Sequence, residues 1–340
     1  MDNDKKNVCV IYTGGTIGMV HSEAGLRPEP GFLSGVLRDS PVFHSEGFPR
    51  IDVVEYEPLL DSSDMAPDDW NRIAGDICTR YRDYDGFVVV HGTDTMAWTA
   101  SALSFMLQHL GKPVILTGSQ IPLVDEGSDA FANLSGALRL ASCPEFAGVT
   151  VFFDGQLLRG NRTVKTHSRK FSAFSSPDSP ALSDIRADDA SPAPAADQQA
   201  TVTFTPIKPV KCGVITLFPG ISVEQIETVL TAMPDGAILR TFGSGNSSQS
   251  DELMQVLRRY TLAGGILINH SQCLGGGVDV GIYAGSSALQ QAGAIPAGNM
   301  TLESAMTKLM FLLSQEGERE AVITAARERY LLDIAGELIA

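Results

Sequence analysis

Short, almost wholly apolar runs alternate with longer amphipathic ones along most of the chain. Val8–Tyr12 reads as a strand and Arg50–Tyr56 as another. Over Ala66–Tyr84 the apolar residues recur at helical spacing, with Trp70, Ile73, Ile77 and Tyr81 on one face and Pro67 near the first turn. Gly86–Val90 is nearly all apolar, as expected for a strand covered on both faces. Thr95–Leu110 predicts a helix closed by Gly111, Pro113–Leu116 a strand, Ala130–Ala141 a helix and Val149–Phe153 a strand. Such alternation predicts an α/β fold built on a mainly parallel sheet.

The pattern breaks from Pro177 to Gln199, a stretch crowded with Pro, Ala, Ser and Asp that reads as a surface linker or loop. It then resumes, with strands at Gly213–Leu217, Ala237–Arg240 and Gly265–Asn269. Helices are expected at Ser222–Ala232, Asp251–Leu262, Thr301–Ser314 and Glu318–Leu332. We therefore expect a larger N-terminal catalytic α/β domain over residues 1–190, a linker over 191–211 and a smaller C-terminal α/β domain over 212–340.

Composition narrows the function classes. The chain has 340 residues, 44% hydrophobic and 19% charged, enough for two apolar cores. Its formal net charge of −15 disfavours phosphate backbones and anionic membrane surfaces, so neither a nucleic-acid nor a membrane partner is expected. The N-terminus leads straight into the first strand without a basic and apolar leader, which points to the cytoplasm. Cys9, Cys78, Cys143, Cys212 and Cys273 are scattered and contain no CxxC pair, so reduced thiols are expected rather than disulfides or zinc.

Ligands of open parallel sheets bind beyond the carboxyl ends of the strands, and polar segments with chemical potential lie there. Thr13-Gly14-Gly15-Thr16-Ile17-Gly18 follows the first strand. Its glycines allow a tight turn whose N–H groups approach an oxygen closely, beside the Thr16 hydroxyl; the plain alternative is a glycine-rich strand exit. No GxxxxGK[ST] and no GxGxxG is present. In His91-Gly92-Thr93-Asp94-Thr95-Met96, Thr93 and Asp94 are helix N-cap types, or else a hydroxyl and a carboxylate aimed at a substrate ammonium. His91 is expected to pack or hydrogen-bond locally. Lys165, after Gly160-Asn161-Arg162-Thr163-Val164, is either a solvated charge or, beside Thr93, an amine able to accept a proton. Asp61-Ser62-Ser63-Asp64-Met65 reads as a capping turn that can also grip a carboxylate.

Taken as an ordered set, TGGTIGM (13–19), DSSDM (61–65), HGTDTM (91–96) and the loop ending at Lys165 resemble the bacterial cytoplasmic, or type I, L-asparaginases. Further similar stretches are GSQIPL (118–123), FPGI (218–221) and residues 101–107. The resemblance implies the two-domain asparaginase-like fold and hydrolysis of L-asparagine to L-aspartate and ammonia. It also implies a homo-oligomer, a dimer or a dimer of dimers, with no cofactor and no metal. It makes Thr16 the nucleophile, assisted by a Thr93-Asp94-Lys165 triad. Asp94 would hold the α-amino group, Asp61, Ser62 and Ser63 the α-carboxylate, and the N–H groups near Gly15 and Thr93 the oxyanion.

Three positions depart from that pattern. Leu26 stands where family members often carry a loop tyrosine, and Tyr283 resembles a second tyrosine able to take its place. Val164 replaces a threonine next to a regulatory asparagine site of some members, which argues against such regulation here. Asn246 and Asp279 lie in segments that, by the same resemblance, approach the site of a partner subunit or serve simply as loop residues. The alternatives are a mixed glutaminase-asparaginase, a tRNA-dependent amidotransferase subunit, a silent asparagine-binding or regulatory protein, and a nucleotide-binding dehydrogenase.

Overall fold

The computed structural model describes residues 5–23, 25–184, 189–190, 201–278 and 284–339. Two compact units divide the chain, residues 1–205 and 206–340.

The first unit is organised around β1 (Asn7–Gly14), whose residues from Val8 onward are all buried because strands flank it and cores cover both of its faces. A hairpin, β2 (Met19–Ser22) with β3 (Gly25–Pro28), follows directly, then α1 (Phe32–Asp39) and β4 (Arg50–Leu60). Next come α2 (Pro67–Arg80), β5 (Gly86–Val90), α3 (Met96–Met106), β6 (Leu107–Gln108), β7 (Pro113–Thr117), α4 (Ala130–Leu140), β8 (Gly148–Phe153) and β9 (Gln156–Arg159). The short pieces β10 (Val164–Lys165), β11 (Phe174–Ser175), β12 (Ser183–Asp184), β13 (Asp189–Ala190) and β14 (Thr203–Phe204) complete the unit.

Eight strands form its main sheet, in the order β13-β12-β9-β8-β7-β5-β1-β4. β4, β1, β5, β7 and β8 are mutually parallel, while β9, β12 and β13 add an antiparallel edge. From β1 the chain steps outward to β4, then crosses back and proceeds through β5 and β7 to β8 on the other side. The direction of winding therefore reverses at β1, and the carboxyl ends of β4, β1, β5 and β7 lie side by side there.

Three expectations change. The segment expected to be a surface linker contributes two strands to the sheet edge: Ser183–Asp184 pairs with Leu157 and Gln156 of β9, and Asp189–Ala190 pairs with Ser183–Asp184. The helix expected to reach Leu110 stops at Met106, because Leu107 and Gln108 pair with Phe204 and Thr203 of β14. The helix expected to reach Tyr84 ends at Arg80, and Tyr81 turns in to receive the Gly111 N–H at 2.8 Å.

The second unit is a four-stranded parallel sheet, β15 (Cys212–Thr216), β16 (Gly236–Thr241), β17 (Ile266–Ser271) and β18 (Ile295–Pro296), in sequential order. Helices α5 (Val223–Ala232), α6 (Asp251–Leu262), α7 (Ala284–Gln291), α8 (Leu302–Leu313) and α9 (Arg319–Tyr330) accompany it. Ser222 and Gln225 form the capping box that starts α5, satisfying two orphan N–H groups reciprocally. Leu230, Leu239, Leu257 and Leu267 lie in one apolar core. Asn246 closes a tight turn by exchanging backbone hydrogen bonds with Phe242.

Candidate active site

Three of the polar segments singled out above, together with the segment after β7, emerge at the carboxyl ends of adjacent strands. Thr13–Thr16 leaves β1, Asp61–Ser63 leaves β4, His91–Thr95 leaves β5, and Gly118–Gln120 leaves β7. Four loops from neighbouring parallel strands are thereby brought to one edge of the sheet.

Backbone contact holds them there. Gly15 has φ 97°, a region only glycine enters without strain, and a Cβ on it would lie 2.6 Å from the Gly92 Cα. A Cβ on Gly92 would lie 2.4 Å from Ser62 Oγ. The first three segments of the resemblance thus stack as Ser62, Gly92 and Gly15 because two of the three have no side chain. Thr95 Oγ1 ties the stack together by donating to the Ser62 carbonyl at 2.7 Å.

Thr16 opens a single 3₁₀ turn, Thr16–Gly18, and is half-buried. Beneath the turn lies Tyr12, fully buried, with its hydroxyl in contact with Gly18; burial raises its pKa above that of an ordinary phenol. The turn is also held by Leu123, whose N–H donates to the Ile17 carbonyl at 3.2 Å. Leu26, on the far strand of the β2–β3 hairpin, is exposed and lies opposite His21, which is paired with Asp125 at 2.6 Å.

Lys165 reaches the site from the other direction. The buried 3₁₀ turn Gly160–Arg162 anchors its strand, and Lys165 pairs with Phe174 across β10 and β11. Its Nζ donates to Thr93 Oγ1 at 2.8 Å and to Asp94 Oδ1 at 2.7 Å. The lysine side chain is 17% exposed and the Asp94 side chain 67%, so the carboxylate presents an open face while the amine is enclosed. An open carboxylate in such a place suits a substrate ammonium. The helix-cap reading of Thr93 and Asp94 does not hold: α3 begins at Met96, and its N-cap residue is Thr95. The Asp61 turn keeps its capping role, with Oδ1 accepting from the Ser63 N–H and hydroxyl, each at 2.9 Å.

His91 is completely buried, and desolvation pushes its pKa down to about 4. Its Nδ1 lies 2.6 Å from the Gly92 carbonyl, which can only accept, so Nδ1 carries the proton. Nε2 then accepts from Thr99 Oγ1 at 2.9 Å, and Thr99 Oγ1 accepts from Trp70 Nε1 at 3.1 Å. The imidazole is a neutral structural link, as the sequence suggested. Gln120, not singled out by sequence reasoning, sits with its Oε1 3.5 Å from Thr93 Oγ1. Tyr283 and Asp279 lie outside the described residues. Among the described residues no group of His, Cys, Asp and Glu has the arrangement of a metal site.

Family models, curated relatives and solved structures all match the chain over most of its length. Residues 7–195 match the family described as "Asparaginase, N-terminal", and residues 211–325 match the "Glutaminase/Asparaginase C-terminal domain". The chain is 46% identical to L-asparaginase 1 of Escherichia coli K12 over 338 residues, covering 98% of each. It is 33% identical to an L-asparaginase of Thermococcus kodakarensis, over 97% of this chain and 98% of that one. The crystal structure of L-asparaginase I from Vibrio cholerae superposes with a TM-score of 0.89 at 44% identity, covering 99% of this chain and all of the other.

Proposed function

Because the chain belongs to the asparaginase family, we propose that it hydrolyses its substrate through Thr16, with Thr93, Asp94 and Lys165 as the supporting triad. The activity is that of an L-asparaginase: the side-chain amide of L-asparagine is hydrolysed to L-aspartate and ammonia. The residue roles are our assignment. The observation that carries it is Lys165 Nζ bridging Thr93 Oγ1 and Asp94 Oδ1 at 2.8 and 2.7 Å, on the loop that stacks against Gly15.

In this scheme the substrate's ammonium rests on Asp94 and its α-carboxylate on the Asp61-Ser62-Ser63 turn, two charged handles that fix the carboxamide between them. Thr16 Oγ attacks the amide carbon, and the oxyanion is met by N–H groups of Gly15 and Thr93. The hydroxyl proton passes through Tyr283 to the nitrogen as the C–N bond breaks, releasing ammonia and leaving an aspartyl ester on Thr16. A water then gives a proton to the Thr93–Lys165 pair and attacks the ester. The C–O bond to Thr16 breaks, aspartate forms, and Thr16 recovers its proton. A lysine serves as the base only in its neutral form.

The test is mass spectrometry of Lys165→Met after mixing with asparagine, since that variant slows removal of the ester. An aspartyl adduct on Thr16 is expected. Ammonia release with no adduct on Thr16 in any time window refutes the covalent step, and unchanged turnover in Tyr283→Phe refutes the proton route. On the same likeness we assign the protein to the cytoplasm and to a dimer or dimer of dimers, which cell fractionation and sedimentation velocity check.

A further inference from the structure

The segment after β7 is held more firmly than an ordinary loop. Asp129 Oδ1 accepts from the N–H groups of Gln120 and Ile121 at 3.1 Å each, and Oδ2 accepts from the Gln120 N–H and from Asn133 Nδ2 at 3.0 Å each. Asn133 Nδ2 also donates to the Gly118 carbonyl at 3.0 Å. The Gln120 side chain is anchored as well, its Nε2 donating to the Lys170 carbonyl at 2.9 Å. A carbonyl can only accept, so the amide cannot be turned round, and Oε1 is the atom that faces Thr93 Oγ1 at 3.5 Å.

A primary carboxamide brings two N–H donors to the reacting end of the substrate, whereas the carboxylate of the product brings none. Each donor that enters a water-poor site needs an acceptor. Several side-chain acceptors around the site already have a donor. Asp61 Oδ1 takes two donors from Ser63, Asp94 Oδ1 takes Lys165, and Thr93 Oγ1 takes Lys165 too. Among the described residues Gln120 Oε1 has only the long contact from the Thr93 hydroxyl, and it is neutral.

We infer that Gln120 is a specificity-determining residue whose Oε1 accepts an N–H of the substrate carboxamide and disfavours the carboxylate of the product. Against aspartate the same atom meets another acceptor with no proton between them, an arrangement that leaves both unsatisfied. The residue therefore separates asparagine from aspartate and keeps product from occupying the site. The inference rests on the Thr16–Thr93 reading of the site, and its experiment is designed to be independent of turnover.

Calorimetric dissociation constants for L-asparagine and L-aspartate are measured in a Thr16→Ala background, alone and with Gln120→Met or Gln120→Glu. Methionine keeps the length and removes the acceptor; glutamate keeps an acceptor and loses the Lys170 anchor. The ratio of the aspartate to the asparagine constant is expected to fall roughly 10- to 100-fold in Gln120→Met. In Gln120→Glu it is expected to stay at or above the value of the background. A ratio that is unchanged in Gln120→Met overturns the inference, since a merely structural role weakens both ligands together. So does an equal fall in both variants, which would make the Lys170 anchor the cause. Ammonia release by the unaltered chain tests the reading of Thr16 separately, so failure of either is recognisable.

Discussion

Replacing Gly92 by alanine probes the stacking on which the site depends. The added Cβ would lie 2.4 Å from Ser62 Oγ and 2.6 Å from Ser62 Cβ, with the Gly15 Cα 3.5 Å away. Real Cβ contacts essentially never fall below 3.0 Å, so Ser62 must retreat by at least the 0.6 Å that separates 2.4 from 3.0. Ser62 is buried, and its carbonyl is tied to Thr95, so it cannot swing into solvent. Overpacking of this kind costs about 1–3 kcal/mol. For a unit of about 200 residues that lowers the melting temperature by about 2–4 °C per kcal/mol. A shift approaching 1 Å in a substrate-holding turn reduces kcat/KM by up to about 10²-fold. The assay pairs thermal unfolding with initial rates of ammonia release, for Gly92→Ala alone and with Ser62→Gly. The second change removes the obstructing side chain and is expected to return most of the stability. KM is expected to stay high, since the Ser62 hydroxyl is then missing from the carboxylate turn. If Gly92→Ala keeps both the melting temperature and KM of the unaltered chain, the argument that these loops are in register through Gly92 is wrong.

Other consequences follow from the same geometry. Lys165→Met is expected to lower kcat by about 10²–10⁴-fold, and Lys165→Arg not to restore it, because a guanidinium keeps its proton; steady-state rates check both. His91 has a folded pKa of about 4 against an unfolded value of about 6.5, so the unfolded chain binds more protons between those limits. Stability is therefore expected to be unaffected by this group above about pH 6.5 and to fall as the pH drops toward 4, by up to about 3 kcal/mol. Denaturant midpoints of His91→Gln against the unaltered chain across that window measure it; equal slopes would contradict the burial of a neutral imidazole. In the second unit, Lys308 and Glu337 form a fully buried pair at 2.5 Å, with Lys308 also donating to the Leu332 carbonyl. Lys308→Met leaves the carboxylate without its cation, held by the Ile334 and Ala335 N–H groups, and is expected to cost about 3–5 kcal/mol in chemical denaturation, with Glu337→Gln added to Lys308→Met recovering part of it.

Much of the fold could be read from the sequence where burial is two-sided. Val8–Tyr12 and Gly86–Val90 are strands of a covered parallel sheet, and their continuous apolar character leaves no other use for them. The polar segments that follow them were legible as site candidates for the same reason, since strand ends of such sheets meet. Elements settled by distant partners were not. Leu107 and Gln108 continue a helical pattern, yet β14, almost a hundred residues later in the chain, draws them into a strand pair. The Met19–Pro28 hairpin is too exposed to show alternation, and Ser183–Asp184 sits in a composition that resembles a linker while β9 supplies its ladder. Gln120 escaped notice because what marks it, the Asp129 carboxylate and the Lys170 carbonyl, lies 9 and 50 residues away. Conversely, Thr93 and Asp94 carried a local signal, helix capping, that the fold overrides by starting α3 at Met96.

The central claim, that asparagine hydrolysis depends on the Thr16 hydroxyl, is tested most directly by ammonia release from the full chain and from Thr16→Ala, over a range of L-asparagine concentrations. The expected result is release by the unaltered chain and a loss of about 10³-fold or more in kcat for Thr16→Ala, with asparagine still stabilising the variant in a thermal-shift assay. Retention of kcat within about tenfold by a variant that still binds asparagine would contradict it and move the nucleophile elsewhere in the site.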